Sequence, residues 1–174
     1  MQLTDSQGRN INYLRLSVTD RCNLRCVYCM PKEGVAKKGH AAVLSYEELL
    51  LIAESAIGLG IEKIRITGGE PLVRAGIVGF LERLTTIPGL AHLALTTNGL
   101  LLAEMATDLH RAGVQRLNVS LDSLNSATFA AAPRSGIGRS FTLSGNSSTT
   151  ENSLAGFAYS SFSLMRSQGS CLSS

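Results

Sequence analysis

The chain has no tryptophan, only 5% aromatic residues and four prolines in 174 residues. A stacking platform for nucleic acid bases needs aromatic faces, so nothing here points to a nucleic acid partner. The net charge of +3 is too small to argue for a polyanion or a membrane surface. No apolar run reaches the ~18 residues of a membrane span. The first residues, Met1-Gln2-Leu3-Thr4-Asp5-Ser6, lack the apolar region of a signal peptide. Cysteine is scarce as well: there are four, with three crowded between Cys22 and Cys29 and the fourth, Cys171, near the end. Disulfide scaffolds spread their cysteines along short secreted chains. This clustering fits a reducing compartment and a metal or redox site, so the expected location is cytoplasmic, with no membrane partner.

What is present is concentrated in Ser17-Val18-Thr19-Asp20-Arg21-Cys22-Asn23-Leu24-Arg25-Cys26-Val27-Tyr28-Cys29-Met30-Pro31. Cys22, Cys26 and Cys29 stand at C-x3-C-x2-C spacing directly after a strand-like run. Two metal readings remain open on spacing alone. Three thiolates can hold three irons of a cubane cluster, leaving the fourth iron open to a ligand. They can also hold zinc, with His40 or Cys171 as fourth ligand.

The rest of the chain repeats one pattern. Residues 13–19 read as a strand, with Leu14, Leu16 and Val18 on one face and Arg15 and Ser17 on the other. Ser45-Tyr46-Glu47-Glu48 is a capping box, and it opens a helix with Leu49, Ile52, Ala53, Ala56 and Ile57 inward. A second strand over 61–67 ends in Gly68-Gly69-Glu70-Pro71, a sharp turn. A second helix over 76–86 turns Ile77, Phe80, Leu81 and Leu84 inward. The third strand, 91–96, ends in Thr97-Asn98-Gly99, and the third helix carries Leu102, Met105, Ala106 and Leu109. The fourth strand spans 115–121, and Ser126 caps a fourth helix that Pro133 ends.

Strand, polar turn, helix, four times over, predicts parallel βα units and an α/β fold. Every strand finishes in small polar groups, and the cysteine loop leaves from the same edge. In such sheets the site lies at the strands' C-terminal edge. Four strand ends therefore converge where a cluster would sit. The bland alternatives are a plain tight turn at Gly68-Gly69, strand ends at Thr96 and Ser120, and solvated strand residues at Arg15 and Arg65.

The character changes at about Arg134. Residues 134–174 hold thirteen serines and one acidic residue, Glu151, without helix or strand periodicity. Two regions are expected: a core over 1–133 and a low-complexity tail over 134–174, disordered by composition.

With these residues in view, the chain resembles the radical S-adenosylmethionine (SAM) enzymes, and more closely the GTP 3′,8-cyclase family of molybdenum cofactor biosynthesis. The matching text is the cysteine block with Leu14-Arg15-Leu16 before it. It continues with Lys63-Ile64-Arg65-Ile66-Thr67-Gly68-Gly69-Glu70-Pro71-Leu72-Val73-Arg74, Thr96-Thr97-Asn98-Gly99 and Leu117-Asn118-Val119-Ser120-Leu121-Asp122-Ser123-Leu124. The resemblance implies the first four βα units of a partial (βα)6 barrel, followed by an irregular Ser-rich tail. It implies a [4Fe-4S] cluster on Cys22, Cys26 and Cys29. It implies SAM contacts at Tyr28, Gly69 and Ser120, and GTP contacts at Arg15, Arg65 and Thr96. The chemistry implied is one-electron cleavage of SAM, then hydrogen abstraction from GTP and closure to (8S)-3′,8-cyclo-7,8-dihydroguanosine 5′-triphosphate. An external electron donor is implied too, and a homodimer is compatible with the family.

The departure from the family lies past Arg134. Family chains are longer, carry a second cysteine triad for another cluster and end in Gly-Gly. By that comparison this chain is expected to be truncated and inactive alone. The alternatives are a radical SAM enzyme with a different substrate and a non-catalytic iron–sulfur-binding fragment. A frameshift at about codon 134 is expected to explain the abrupt change. Translating the other two reading frames should restore family-like sequence past Arg134, and if neither frame does, the frameshift is excluded.

Overall fold

The computed structural model describes residues 3–24, 26, 29, 43–121 and 139–144. Four strands run parallel in chain order: β1 (Tyr13–Ser17), β2 (Lys63–Thr67), β3 (His92–Thr97) and β4 (Arg116–Leu121). Among the described residues each crossover carries one α-helix: α1 (Tyr46–Gly58), α2 (Ile77–Thr85) and α3 (Leu102–Arg111). A short 3-10 turn, Pro71–Val73, follows β2. This is an α/β architecture of successive parallel βα units, and the repeating pattern in the sequence is what produces it. The predicted fourth helix lies outside the described residues. Among the described residues no helix is long and apolar enough to cross a membrane.

The sheet has two unlike faces. Leu16, Ile64, Ile66, Leu93, Leu95, Leu117 and Val119 share one face and pack in a single core with the helices. Against them lie Leu49, Leu50 and Ala53 of α1, Ile77, Phe80, Leu81 and Leu84 of α2, and Leu102 and Leu109 of α3. Burying each large apolar side chain contributes about 1.5–3 kcal/mol, so this layer dominates stability. The alternate strand positions carry Tyr13, Arg15, Ser17, Lys63, Arg65, Thr67, His92, Thr96, Arg116, Asn118 and Ser120. Apart from the buried Ala94, that face is polar, and it is turned away from the helices.

The helix starts as its sequence dictates. The Ser45 hydroxyl accepts from the Glu48 N–H (3.1 Å), and the Glu48 carboxylate accepts from the Ser45 N–H (2.7 Å). One inward assignment is corrected. Ile52 is 40% exposed, and Leu50 takes the inward place. Leu49-Leu50-Leu51-Ile52 is apolar on all sides of the helix, so periodicity could not say which member faces the sheet.

The edge of β4 is covered, because β5 (Arg139–Ser144), from the Ser-rich tail, pairs antiparallel along the whole of β4. The register sets Leu117 opposite Leu143 and Val119 opposite Phe141. The alternation Ser140-Phe141-Thr142-Leu143-Ser144 is too brief to stand out among the serines. Bare strand edges recruit other chains. A chain ending at residue 138 is therefore expected to self-associate more than the 174-residue chain. Light scattering at matched concentration checks this, and equal scattering would show that β5 gives no protection.

Candidate functional site

The β1–β2 ladder does not stop where the strands stop. The Val18 N–H donates to the Thr67 carbonyl (2.9 Å), the Gly69 N–H to the Thr19 carbonyl (2.8 Å), and the Glu70 N–H to the Arg21 carbonyl (2.8 Å). The cysteine loop and the Gly-Gly turn therefore run side by side up to the residue before Cys22. They approach so closely that side chains are excluded. A Cβ on Gly68, whose φ is +145°, would lie 2.5 Å from the Thr19 carbonyl oxygen. One on Gly69 would lie 2.3 Å from the Arg21 carbonyl oxygen. The turn is more than a loop reversal, since its glycines let one backbone rest on the other.

Glu70 locks this arrangement from inside. It is 1% exposed. One carboxylate oxygen accepts from the Leu72 N–H (3.0 Å) and the Thr97 hydroxyl (2.9 Å). The other accepts from the Asn98 N–H (2.6 Å). The Thr97 hydroxyl also accepts from the Gly99 N–H (3.0 Å). One buried carboxylate thus ties the end of β3 to the turn after β2, and through that turn to the cysteine loop. Buried charge survives only when it is satisfied in this way. The sequence reading saw Glu70 only as part of a turn, although a carboxylate between Gly-Gly and Pro was a usable signal.

Arg74 fastens the flanks of the loop. Its guanidinium donates to the Val18 carbonyl and, at 2.7 Å, to the Leu44 carbonyl. It also lies 4.0 Å above the Tyr46 ring, which stacks on Phe80 with centroids 4.7 Å apart. Burial pushes the Tyr46 phenol above its usual pKa, with the Arg74 charge opposing. Arg74 ends the Lys63–Arg74 block, and nothing in the sequence alone marks it as a clasp.

Cys22, Cys26 and Cys29 are thiols rather than partners in a disulfide. Cys22 and Cys26 are half-buried and Cys29 is exposed. The Cys29 N–H donates to the Cys26 carbonyl (2.9 Å), which makes a tight turn between those two. The Cys22 sulfur accepts from the Leu24 N–H at 3.4 Å. Among the described residues, no three His, Cys, Asp or Glu side chains stand where they could hold a single metal ion. A cubane does not ask for that, since each thiolate takes its own iron. Donors aimed at sulfur, as on Cys22, suit a charged thiolate ligand.

The expected substrate residues share the polar face. Arg15 pairs directly with Arg65 across β1 and β2, and Arg65 with Ala94. Ala94 pairs in turn with Arg116, which the sequence reading passed over. Thr96 pairs with Asn118 one step nearer the C-terminal edge. Ser120 is exposed near the end of β4, and Gly69 sits in the turn beside the loop. Tyr28 lies outside the described residues. The Arg65 guanidinium is 5.5 Å from the Tyr13 ring centroid, while its buried Nε has no hydrogen-bond partner among the described residues.

Replacing Glu70 by Ala leaves three donors facing a void. At about 1–3 kcal/mol for each buried group left unpaired, the chain is expected to lose at least about 3 kcal/mol of stability. Urea denaturation checks this, and a loss below about 1 kcal/mol would show that the carboxylate is dispensable.

Comparison with known proteins agrees with this geometry. The Radical SAM superfamily profile matches residues 16–142. The GTP 3′,8-cyclase of Geobacter sulfurreducens is 69% identical over 136 residues, covering 78% of this chain and 42% of the relative. Those of Peptoclostridium acidaminophilum and Thermodesulfovibrio yellowstonii are 57% and 56% identical, over 77% and 78% of this chain and 41% and 42% of theirs. The chain thus spans about two-fifths of the length of the curated relatives it matches. With the profile running from within β1 into β5, the chain belongs to the radical SAM superfamily.

Proposed function

We propose that this chain carries the cluster-binding and SAM-binding part of a GTP 3′,8-cyclase, with GTP held on the polar face of its sheet. The observation that carries the reading is the Arg15–Arg65 pair. Like charges directly opposite on a ladder are destabilising. Here the Arg65 Nε of that pair is buried and has no hydrogen-bond partner among the described residues. Lys63 and Arg116 add two further cations at alternate positions, and no carboxylate occupies that face of β1 to β4. A polyphosphate answers both problems at once, because arginine forks give strong, directed bonds to phosphate oxygens. The relatives named GTP 3′,8-cyclase supply the particular nucleotide.

Superfamily membership implies a [4Fe-4S] cluster and SAM. Cys22, Cys26 and Cys29 would hold the cluster, and three thiol donors on one short loop suit it chemically. When bound, the cluster supplies the electron that splits SAM into methionine and a 5′-deoxyadenosyl radical. This chain's residues orient and shield. The Gly68–Gly69 turn, packed on the loop backbone, fixes the rim beside the cysteines, and Gly69, Ser120 and Tyr28 are assigned SAM contacts. Arg15 and Arg65 take the triphosphate, and Thr96, nearer the cluster edge, takes the sugar end of GTP. The core over 1–133 is the working part, and 134–174 is assigned no catalytic role. The electron comes from an external donor.

The test is anaerobic cluster reconstitution followed by a 5′-deoxyadenosine assay with and without GTP. Formation stimulated by GTP supports the cyclase reading. Formation indifferent to GTP favours a radical SAM enzyme with another substrate. A loaded cluster with no cleavage leaves a non-catalytic fragment. GTP binding is read separately by calorimetry, where Arg65→Ala is expected to weaken affinity about 10–100-fold, the worth of one or two charge-assisted hydrogen bonds. Unchanged affinity would remove Arg65 from the site.

A further inference from the structure

The side chain of Asn98 reaches the cysteine loop from the far side of the site. Its Nδ2 donates to the Asn23 Oδ1 at 2.7 Å and lies 3.9 Å from the Cys22 sulfur. Its Oδ1 accepts from the Leu100 N–H at 3.0 Å, which fixes the orientation of the amide. Its own N–H is held by Glu70 at 2.6 Å. Every polar group of Asn98 that could let it swing is therefore engaged. The Leu24 N–H is the second donor on the same sulfur. Strand β3 thus delivers a rigid N–H to one particular thiol on the loop after β1.

We infer that Asn98 sets the reduction potential of the cluster through an N–H···S hydrogen bond to Cys22, with Glu70 as the positioning residue behind it. This rests on the cluster reading above. The physical ground is that hydrogen bonds to ligating sulfurs are one of the determinants of cluster potential. Reduction adds one electron to the cluster and increases the negative charge on its sulfurs. A fixed donor stabilises that extra charge and raises the potential. It makes the cluster easier to charge from an external donor and reduces the driving force it passes on to SAM. The rigid hold matters because a freely rotating amide would follow the charge rather than favour one state.

The test is an EPR-monitored redox titration of the reconstituted chain, with iron content measured in parallel. Asn98→Ala is expected to move the midpoint to more negative potential. The shift expected is at least one decade in the reduced-to-oxidised ratio at fixed potential, about 59 mV for one electron. Pulsed EPR in deuterated buffer should also lose one exchangeable deuteron coupling. Asn98→Asp keeps the acceptor for Leu100 and removes the donor, so it should lose the same coupling. Asn23→Ala removes the neighbour of the amide but leaves the donor to sulfur, so its midpoint should not fall. An unchanged midpoint in Asn98→Ala at full iron content overturns the inference, and so does an equal fall in Asn23→Ala. Loss of iron from both Asn98 variants, with the wild-type chain loaded, makes the residue structural and also overturns it. If the wild-type chain takes up no iron, the cluster reading fails and this inference fails with it.

Discussion

The structure depends on two backbones lying against each other where the sheet ends. Beyond Ser17 and Thr67 the chain has left regular strand, yet the ladder continues through Thr19 and Arg21 to Gly69 and Glu70. That contact is possible only because two residues lack side chains. Glu70 then extends the same constraint sideways to β3. The first cysteine of the loop is thus located by hydrogen bonds rather than by the loop's own composition. Three successive strand ends are fastened into one rim, and reactive groups placed on that rim keep their mutual positions.

The two faces of the sheet divide the work. The helix side supplies the stabilisation, through side chains such as Ile66, Leu81 and Leu95 with no exposure. The other side carries Arg15, Lys63, Arg65 and Arg116, which a stability-driven sequence would avoid placing so near one another. Alternation along the strand makes both possible in the same few residues. Core and site are interleaved at the spacing of one residue, and changes to one need not pass through the other.

The sequence made the fold legible where periodicity was unambiguous. Ile77, Phe80, Leu81 and Leu84 fall on one helical stripe and are buried as expected. Leu49 to Ile52 offered no such contrast, and there the inward face was misread. β5 was hidden because six residues of weak alternation inside a Ser-rich tail do not rise above background. The cysteines, glycines and arginines of the candidate site stood out in the sequence by residue type, because chemistry restricts which residues could serve in such a role. The supporting contacts were not. Glu70 to Asn98, and Asn98 to Cys22, join residues 28 and 76 positions apart. No local pattern encodes a pairing that the fold alone creates.

Arg74 gives the loop a further property. One guanidinium holds the carbonyls of Val18, just past β1, and Leu44, just before α1. The clasp is itself anchored on Tyr46 and, through it, on Phe80 in the core. The start of α1 is thereby held to the end of β1 by a contact that does not run through the chain between them.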